Sequence, residues 1–157
     1  MNKNIAIIKA CRNKWLSILA DLSVDQLNQI PTGFNNNLAW QLGHVIVSQQ
    51  ILCYRLAGKD FVINNDLIDR YKNGSRPEQY IDEQEIDLLK GYLISTIEQL
   101  EKGLESGLFD QFNAYTISTF PGLTLENIHD AVAFVVAHDA LHYGCSTSLK
   151  RLILQSN

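Results

Sequence analysis

The last long segment of the chain, residues 124–154, contains no proline and is well over about twenty residues long. Thr124 is a residue type that can cap a first helical turn, and the segment runs on through Leu154 without a break. Within it, "AVAFVVAHDALHYGCSTSLKRLIL" places seven apolar residues directly before two histidines, His138 and His142. The segment therefore predicts one long helix with two imidazoles on an apolar face.

Three earlier segments, 4–20, 38–58 and 82–104, also space their apolar residues as helices do. The asparagines at 35–37 are good caps for the second helix, and acidic residues in the first turn suit the third. Ser23 and Gln26 stand at capping-box spacing, which predicts a short helical turn there. Residues 58–80 contain Gly, Asn and Pro and are expected to form a connection, with one short helical piece over 67–71. With no convincing strand, the pattern predicts an all-α fold, a four-helix bundle with a long crossover connection.

Length and charge restrict the function classes. A chain of 157 residues is one ordinary domain, so residues 1–157 are expected to form a single bundle domain. Its net charge of −4, with no Arg-rich or Lys-rich stripe, excludes the basic surface that nucleic-acid binding needs. No apolar run approaches the roughly 20 residues that span a bilayer, and the N-terminus lacks the apolar core of a signal peptide, so we expect no membrane partner.

The cysteines support a cytoplasmic location. Cys11, Cys53 and Cys145 are odd in number, widely spaced and set in apolar helical segments. This pattern is typical of reduced thiols and not of a disulfide framework. We interpret Cys145, about 20° from His138 on a helical wheel, as a core cysteine that could flank a pocket.

The histidines form the candidate site. At about 100° per residue, His138 and His142 lie about 40° apart and one turn from each other, so two ring nitrogens can converge on one metal ion. His129 lies about 180° round the helix from His138 and is excluded. His44, near the start of the second helix, is the remaining histidine that could complete a set, because bundles build metal sites from facing helices. The predicted metal ligands are His44, His138 and His142.

Other interpretations of these residues stay open. A single histidine on an apolar face is more often a hydrogen-bonded core residue than a ligand, and His-x-x-x-His pairs are common on surfaces. A zincin protease is excluded because Asp139, not glutamate, follows the first histidine of the pair. Asp139 lies about 100° from His138 and is expected to support a ligand or face solvent instead of acting as a base. Gln41 and Tyr143 are hypothetical hydrogen-bond partners of the ligands, and no catalytic base can be placed.

A resemblance to a known family rests on several segments together. The opening N-N-x-x-W-x-L-G-H in "FNNNLAWQLGH", the connection "YKNGSRP", the approach "TISTFPGLTLENIHDAVAFVVAHDALHYG" and the order of one His before His-x-x-x-His resemble the DinB/YfiT-like superfamily of four-helix-bundle proteins. The resemblance covers most of the chain. It implies that a divalent metal is held by one histidine of the second helix and two of the last, which are His44, His138 and His142 here.

The resemblance also implies a function class. Three neutral imidazoles leave a coordination position open, which is typical of a catalytic site. Members of the family resemble thiol S-transferases that use a low-molecular-weight thiol such as bacillithiol or mycothiol, or metal-dependent hydrolases. We therefore expect an enzyme with zinc or nickel, a small-molecule substrate and a homodimeric assembly. The alternatives are a non-catalytic dimeric interaction module with a structural or absent metal, and a histidine cluster that senses pH without metal.

Overall fold

The computed structural model describes residues 2–155, and the four predicted long helices form. Two short helices and a two-stranded hairpin complete the described elements, so the all-α, four-helix-bundle prediction is confirmed. In chain order the elements are α1 Lys3–Leu19, α2 Val24–Asn28, α3 Leu38–Gln49 with a π-helical continuation Gln50–Arg55, α4 Asp66–Tyr71, α5 Glu83–Glu105, β1 Tyr115–Thr116, β2 Thr124–Leu125 and α6 Ile128–Gln155.

The four long helices pack so that each has two neighbours. Both α1 and α3 lie against α5 and α6, which places α1 diagonally across the bundle from α3. All twelve residues of α3 are buried, because α2 and α4 cover the part of its surface that α5 and α6 leave. The helix that carries His44 therefore packs against four other helices.

The core consists of two hydrophobic clusters, one toward each end of the bundle. The first includes Trp15, Ile46 and Leu149, and the second includes Ile8, Ile97 and Val135. Where the two meet, each long helix contributes a buried polar residue. These four residues, which we call the polar layer, are Arg12, Gln49, Thr96 and Asp139.

Side-chain caps define where two of the predicted helices start. The Asn37 side-chain oxygen accepts the Trp40 backbone N–H at 2.8 Å and begins α3, as the asparagine run predicted. Ser23 and Gln26 form the predicted capping box at the start of α2. The second long helix extends close to its predicted end, although its last turns widen from α to π geometry.

The predicted start of the last helix is wrong. Thr124 lies in β2, opposite Thr116, and the two hydroxyls are 2.9 Å apart. The helix begins at Ile128, where Asn127 accepts the backbone N–H groups of His129 and Asp130. Thr and Asn are both good caps, and only the pairing of the hairpin decides between them.

The hairpin of β1 and β2 is also absent from the sequence prediction. Each strand has only two residues, which is too short to show a period of two, and they pair as Tyr115 with Leu125 and Thr116 with Thr124. Gly122, with φ of +88°, lets the turn between them close. Ile117 and Leu125 are buried against the bundle, so the hairpin is fixed beside the N-terminal half of α6.

Candidate metal site

The three predicted ligand residues lie together. His44 from α3 and His138 and His142 from α6 each offer a ring nitrogen, and these nitrogens lie within 4.8 Å of one another. Neighbouring ring centroids are 4.4 to 5.2 Å apart. His129 is exposed on the opposite side of α6 and takes no part, as the helical wheel predicted. This cluster of donors could hold one metal ion.

His44 is oriented by its surroundings. Its Nδ1 lies 2.7 Å from the backbone oxygen of Tyr71, so this nitrogen carries the proton and donates it. The ring stacks on Trp40, with centroids 4.5 Å apart and planes 12° from parallel. Nε2 is then a lone-pair donor, and the hydroxyl of Ser48 lies 3.4 Å from it. The ring is thus fixed in the tautomer and the direction that ligation of a cation requires.

The position of Tyr71 depends on Gly43. The tyrosine ring lies directly on this glycine, and an added Cβ would be 2.5 Å from its Cγ and 2.7 Å from its Cε1. Only a residue without a Cβ therefore allows α4 to approach α3 closely enough for the Tyr71 carbonyl to reach His44. This is a physical reason for the glycine that precedes the histidine in "LGH".

His142 is held by the side chain of Gln41. Its Nδ1 lies 2.7 Å from the Gln41 carbonyl oxygen, which accepts the ring proton and leaves Nε2 free. The amide nitrogen of Gln41 donates to Asn36 at 3.1 Å and contacts the Cys145 sulfur at 3.6 Å. The hydrogen bond expected between Gln41 and a histidine of the cluster is therefore present. Tyr143 packs against the hydrophobic core, and Cys145 lies behind the site as a partly buried thiol.

His138 has the least complete support. Its Nδ1 and the Oδ1 of Asp139 face each other at 3.9 Å, which is beyond hydrogen-bonding distance, and within residues 2–155 both buried atoms lack a partner. The other carboxylate oxygen, Oδ2, accepts the Nε–H of Arg12 at 2.8 Å. Asp139 therefore lies between His138, to which it makes no hydrogen bond, and Arg12, to which it is paired.

Arg12, which the sequence patterns did not single out, is paired with Asp139 beside the histidine cluster. It is fully buried and donates through Nη1 to Gln49, Thr96 and the Leu93 backbone oxygen at 3.0 to 3.1 Å. The signal was present, because Arg12 stands on the apolar face of α1 between Ile8 and Trp15. A charged residue at such a position has to be paired inside the protein.

Burial sets the charge state of the site. It lowers the pKa of His44 to about 4 and that of His142 to about 3, well below the ordinary value of 6.5. Burial also opposes ionisation of Asp139, but the Arg12 guanidinium and the neighbouring His138 ring together outweigh it and hold the pKa of this carboxyl below its ordinary value. Near neutral pH, His44 and His142 are therefore uncharged donors, and the carboxylate behind His138 is ionised.

A cavity of about 650 Å³ opens above the histidines. His44, His138, His142 and Ser48 form its floor. Its walls come from the end of α3 and the following π-helix, the first half of α6, and the hairpin with its turn. The hairpin that the sequence did not predict is therefore one wall of the site.

Residues 7–146 of the chain match the family model of the DinB superfamily. The chain belongs to the DinB superfamily. The match includes all three histidines, so the resemblance predicted from the sequence motifs is confirmed. No individually curated protein matches the chain significantly.

The geometry of this DinB-superfamily chain fits the divalent metal that the family resemblance implies. Three imidazoles converge, Tyr71 and Gln41 hold two of them in the tautomer with Nε2 free, and the unpaired His138 Nδ1 faces an ionised carboxylate. Among the described residues, no helix is long and apolar enough to cross a membrane.

Proposed function

We propose that this protein is a metal-dependent enzyme acting on a small molecule, of the thiol S-transferase or hydrolase kind, with His44, His138 and His142 as the metal ligands. The main observation behind this proposal is that three histidine ring nitrogens, two of them on rings held by hydrogen bonds, lie within 4.8 Å of one another beside a cavity. Zinc and nickel are the expected ions, since both accept imidazole ligands. A bound divalent ion would supply Lewis-acid chemistry and lower the pKa of a coordinated thiol or water.

The residues around the site support thiol transfer over hydrolysis. Among the described residues that line the cavity there is no aspartate or glutamate. A hydrolase usually needs such a group as a general base, whereas a thiol of lowered pKa is itself the nucleophile. A low-molecular-weight thiol cosubstrate therefore fits the lining better than general-base attack by water.

Metal content per chain, measured by elemental mass spectrometry on untagged protein, tests the ligand assignment. We expect about one equivalent in the wild type and a large loss in His44→Ala, His138→Ala and His142→Ala, with helical circular dichroism retained. His129→Ala is the matched control, because this histidine is exposed on the same helix as two of the ligands. Metal retained after loss of any ligand, or no metal in the wild type, would contradict the proposal.

An interaction module is the second candidate, favoured by exposed apolar side chains at the rim of the cavity. Leu141 is 61 % exposed and Phe120 is 51 % exposed. A chelator separates the candidates: a structural ion would take much of the fold's stability with it, whereas an ion in a preformed bundle would not. We expect helicity to survive chelation, because two hydrophobic clusters fill the bundle without any contribution from a metal.

We further propose that the chain is a single domain that acts in the cytoplasm as a homodimer. Its cysteines, Cys11, Cys53 and Cys145, form no disulfide, as a reducing compartment requires. Sedimentation equilibrium would test the assembly, and a monomer at micromolar concentration would contradict it.

A further inference from the structure

The walls of the cavity above the histidines are mostly apolar. The ring of Phe134 lies 6.1 Å from that of His138, and Phe120 packs edge-on against Phe134 at 6.0 Å. Leu123 from the hairpin turn and Leu141 from α6 add aliphatic surface at the rim. An aromatic and aliphatic path therefore leads from solvent to the candidate metal site.

Several of these side chains are exposed to water. Phe120 and Leu141 are more than half exposed, and Leu123 and Tyr115 are each 42 % exposed. Single exposed apolar residues are ordinary, but these four belong to one concave surface around one opening. A ligand with an apolar body would remove this surface from water, and the removal of apolar area is the main favourable term for such binding.

The lining is also free of formal charge. Among residues 2–155, none of those lining the cavity is Asp, Glu, Lys or Arg. Its polar groups are the three histidines, a few hydroxyls and two amides, those of Asn36 and Asn73. A carboxylate or phosphate on the body of a ligand would lose its hydration here without meeting a counter-charge, and that loss is costly.

We propose that this site takes an uncharged, largely apolar small molecule, with its polar end at the histidines and its apolar body between the hairpin and α6. This inference rests on the proposed function for the identity of the site, and it adds the class of substrate. The volume of about 650 Å³ is in the range of cavities that enclose a whole small ligand. Thiols or electrophiles that carry several carboxylates or phosphates are excluded from the apolar part of the cavity.

Two fluorescent probes with the same ring skeleton test the proposal. N-phenyl-1-naphthylamine is neutral, and 8-anilinonaphthalene-1-sulfonate adds one sulfonate to it. Both would be titrated by fluorescence into metal-free and zinc-loaded protein, with circular dichroism showing that the protein is folded. We expect the neutral probe to bind metal-free protein about tenfold or more tightly than the sulfonate. Equal or tighter binding of the sulfonate to the metal-free protein would overturn the proposal.

Matched variants on α6 place the binding in the cavity. Leu141→Asp should weaken binding of the neutral probe about tenfold, because it places a carboxylate at the rim. Leu141→Lys should strengthen binding of the sulfonate probe relative to that of the neutral probe. Leu154 is 51 % exposed on the same helix but lies outside the cavity, so Leu154→Asp and Leu154→Lys should change neither affinity. Equal effects of the Leu141 and Leu154 pairs would refute the assignment.

Metal analysis of the same samples separates this proposal from the proposed function. Selective binding of the neutral probe by protein that takes up neither zinc nor nickel would support the apolar cavity and contradict the metal-dependent enzyme. One equivalent of zinc without selective binding of the neutral probe would contradict the substrate class and leave the metal site standing.

Discussion

Replacing Asp139 by asparagine tests whether the polar layer behind the site supports both the fold and the metal. The substitution keeps the shape of the side chain but leaves Arg12 as an unpaired charge that is fully buried. Removing one partner of a buried ion pair costs about 3–5 kcal/mol. For a domain of this size each kcal/mol lowers Tm by about 2–4 °C, so we expect Tm of the metal-free protein to fall by roughly 6–20 °C.

The same substitution should weaken metal binding. An oxygen of the Asp139 carboxylate faces His138 Nδ1 at 3.9 Å, and the loss of a carboxylate beside a metal-ligating histidine typically costs about 10–100-fold in metal affinity. Zinc affinity would be measured by competition with a chromophoric chelator at a temperature well below Tm, where the variant is folded. The d–d spectrum of a cobalt-loaded sample would report separately on any change in ligand geometry.

A double variant separates the two effects. Arg12→Met with Asp139→Leu removes both charges, and exchanging a buried ion pair for apolar residues of similar volume is often neutral or stabilising. We expect this variant to recover most of the lost Tm while its zinc affinity stays about 10–100-fold below wild type. Wild-type zinc affinity in the double variant, or wild-type Tm and affinity in Asp139→Asn, would refute the reasoning.

Three further predictions concern residues around the site. Gln41→Leu should weaken zinc binding about 10–100-fold, because it removes the hydrogen bond to His142. It should lower Tm less than Asp139→Asn does, because it leaves no buried charge without a partner. Unchanged zinc affinity would show that Gln41 does not support His142. Gly43→Ala should lower the free energy of unfolding, measured in urea, by about 1–3 kcal/mol, because the new Cβ clashes with Tyr71. Gly91→Ala, where the Cβ would meet open space within α5, should raise it by about 0.5–1 kcal/mol. Cys53 is fully buried, and this burial raises the pKa of its thiol to about 12. At pH 8, Ellman's reagent should therefore modify at most two thiols per folded chain, and the third only after denaturation.

Much of the site could be predicted from local spacing. His138 and His142 share one helix, so the 3.6-residue repeat places them on one face and moves His129 to the other. His44 could be added because few histidines remain in the chain, and the superfamily motifs pointed to the same residue. The structure brings all three together.

The partners of the ligands could be predicted only in part. Gln41 lies three residues before His44 in sequence, yet its hydrogen bond goes to His142, which is 101 residues further along the chain. The acceptor for His44 is the backbone oxygen of Tyr71, and every residue has a backbone oxygen, so no pattern of residue types indicates it. Arg12 was visible as a charge on an apolar face, but its pairing with Asp139 depends on the packing of α1 against α6.

The sequence by itself determined the four long helices, the Asn37 cap of α3, the capping box of α2, the superfamily and the three histidines. These depend on contacts within about one helical turn or on motifs that are read directly, so local order is enough to reveal them. Only the tertiary structure decided that Thr124 pairs in a hairpin and does not cap a helix, that this hairpin walls the cavity, and that Arg12 lies behind His138. The hairpin is fixed by strand pairing and by the burial of Ile117 and Leu125 against the bundle, and neither is visible in two-residue strands. The place of Arg12 follows from the burial of its charge against Asp139, which lies on a helix far along the chain.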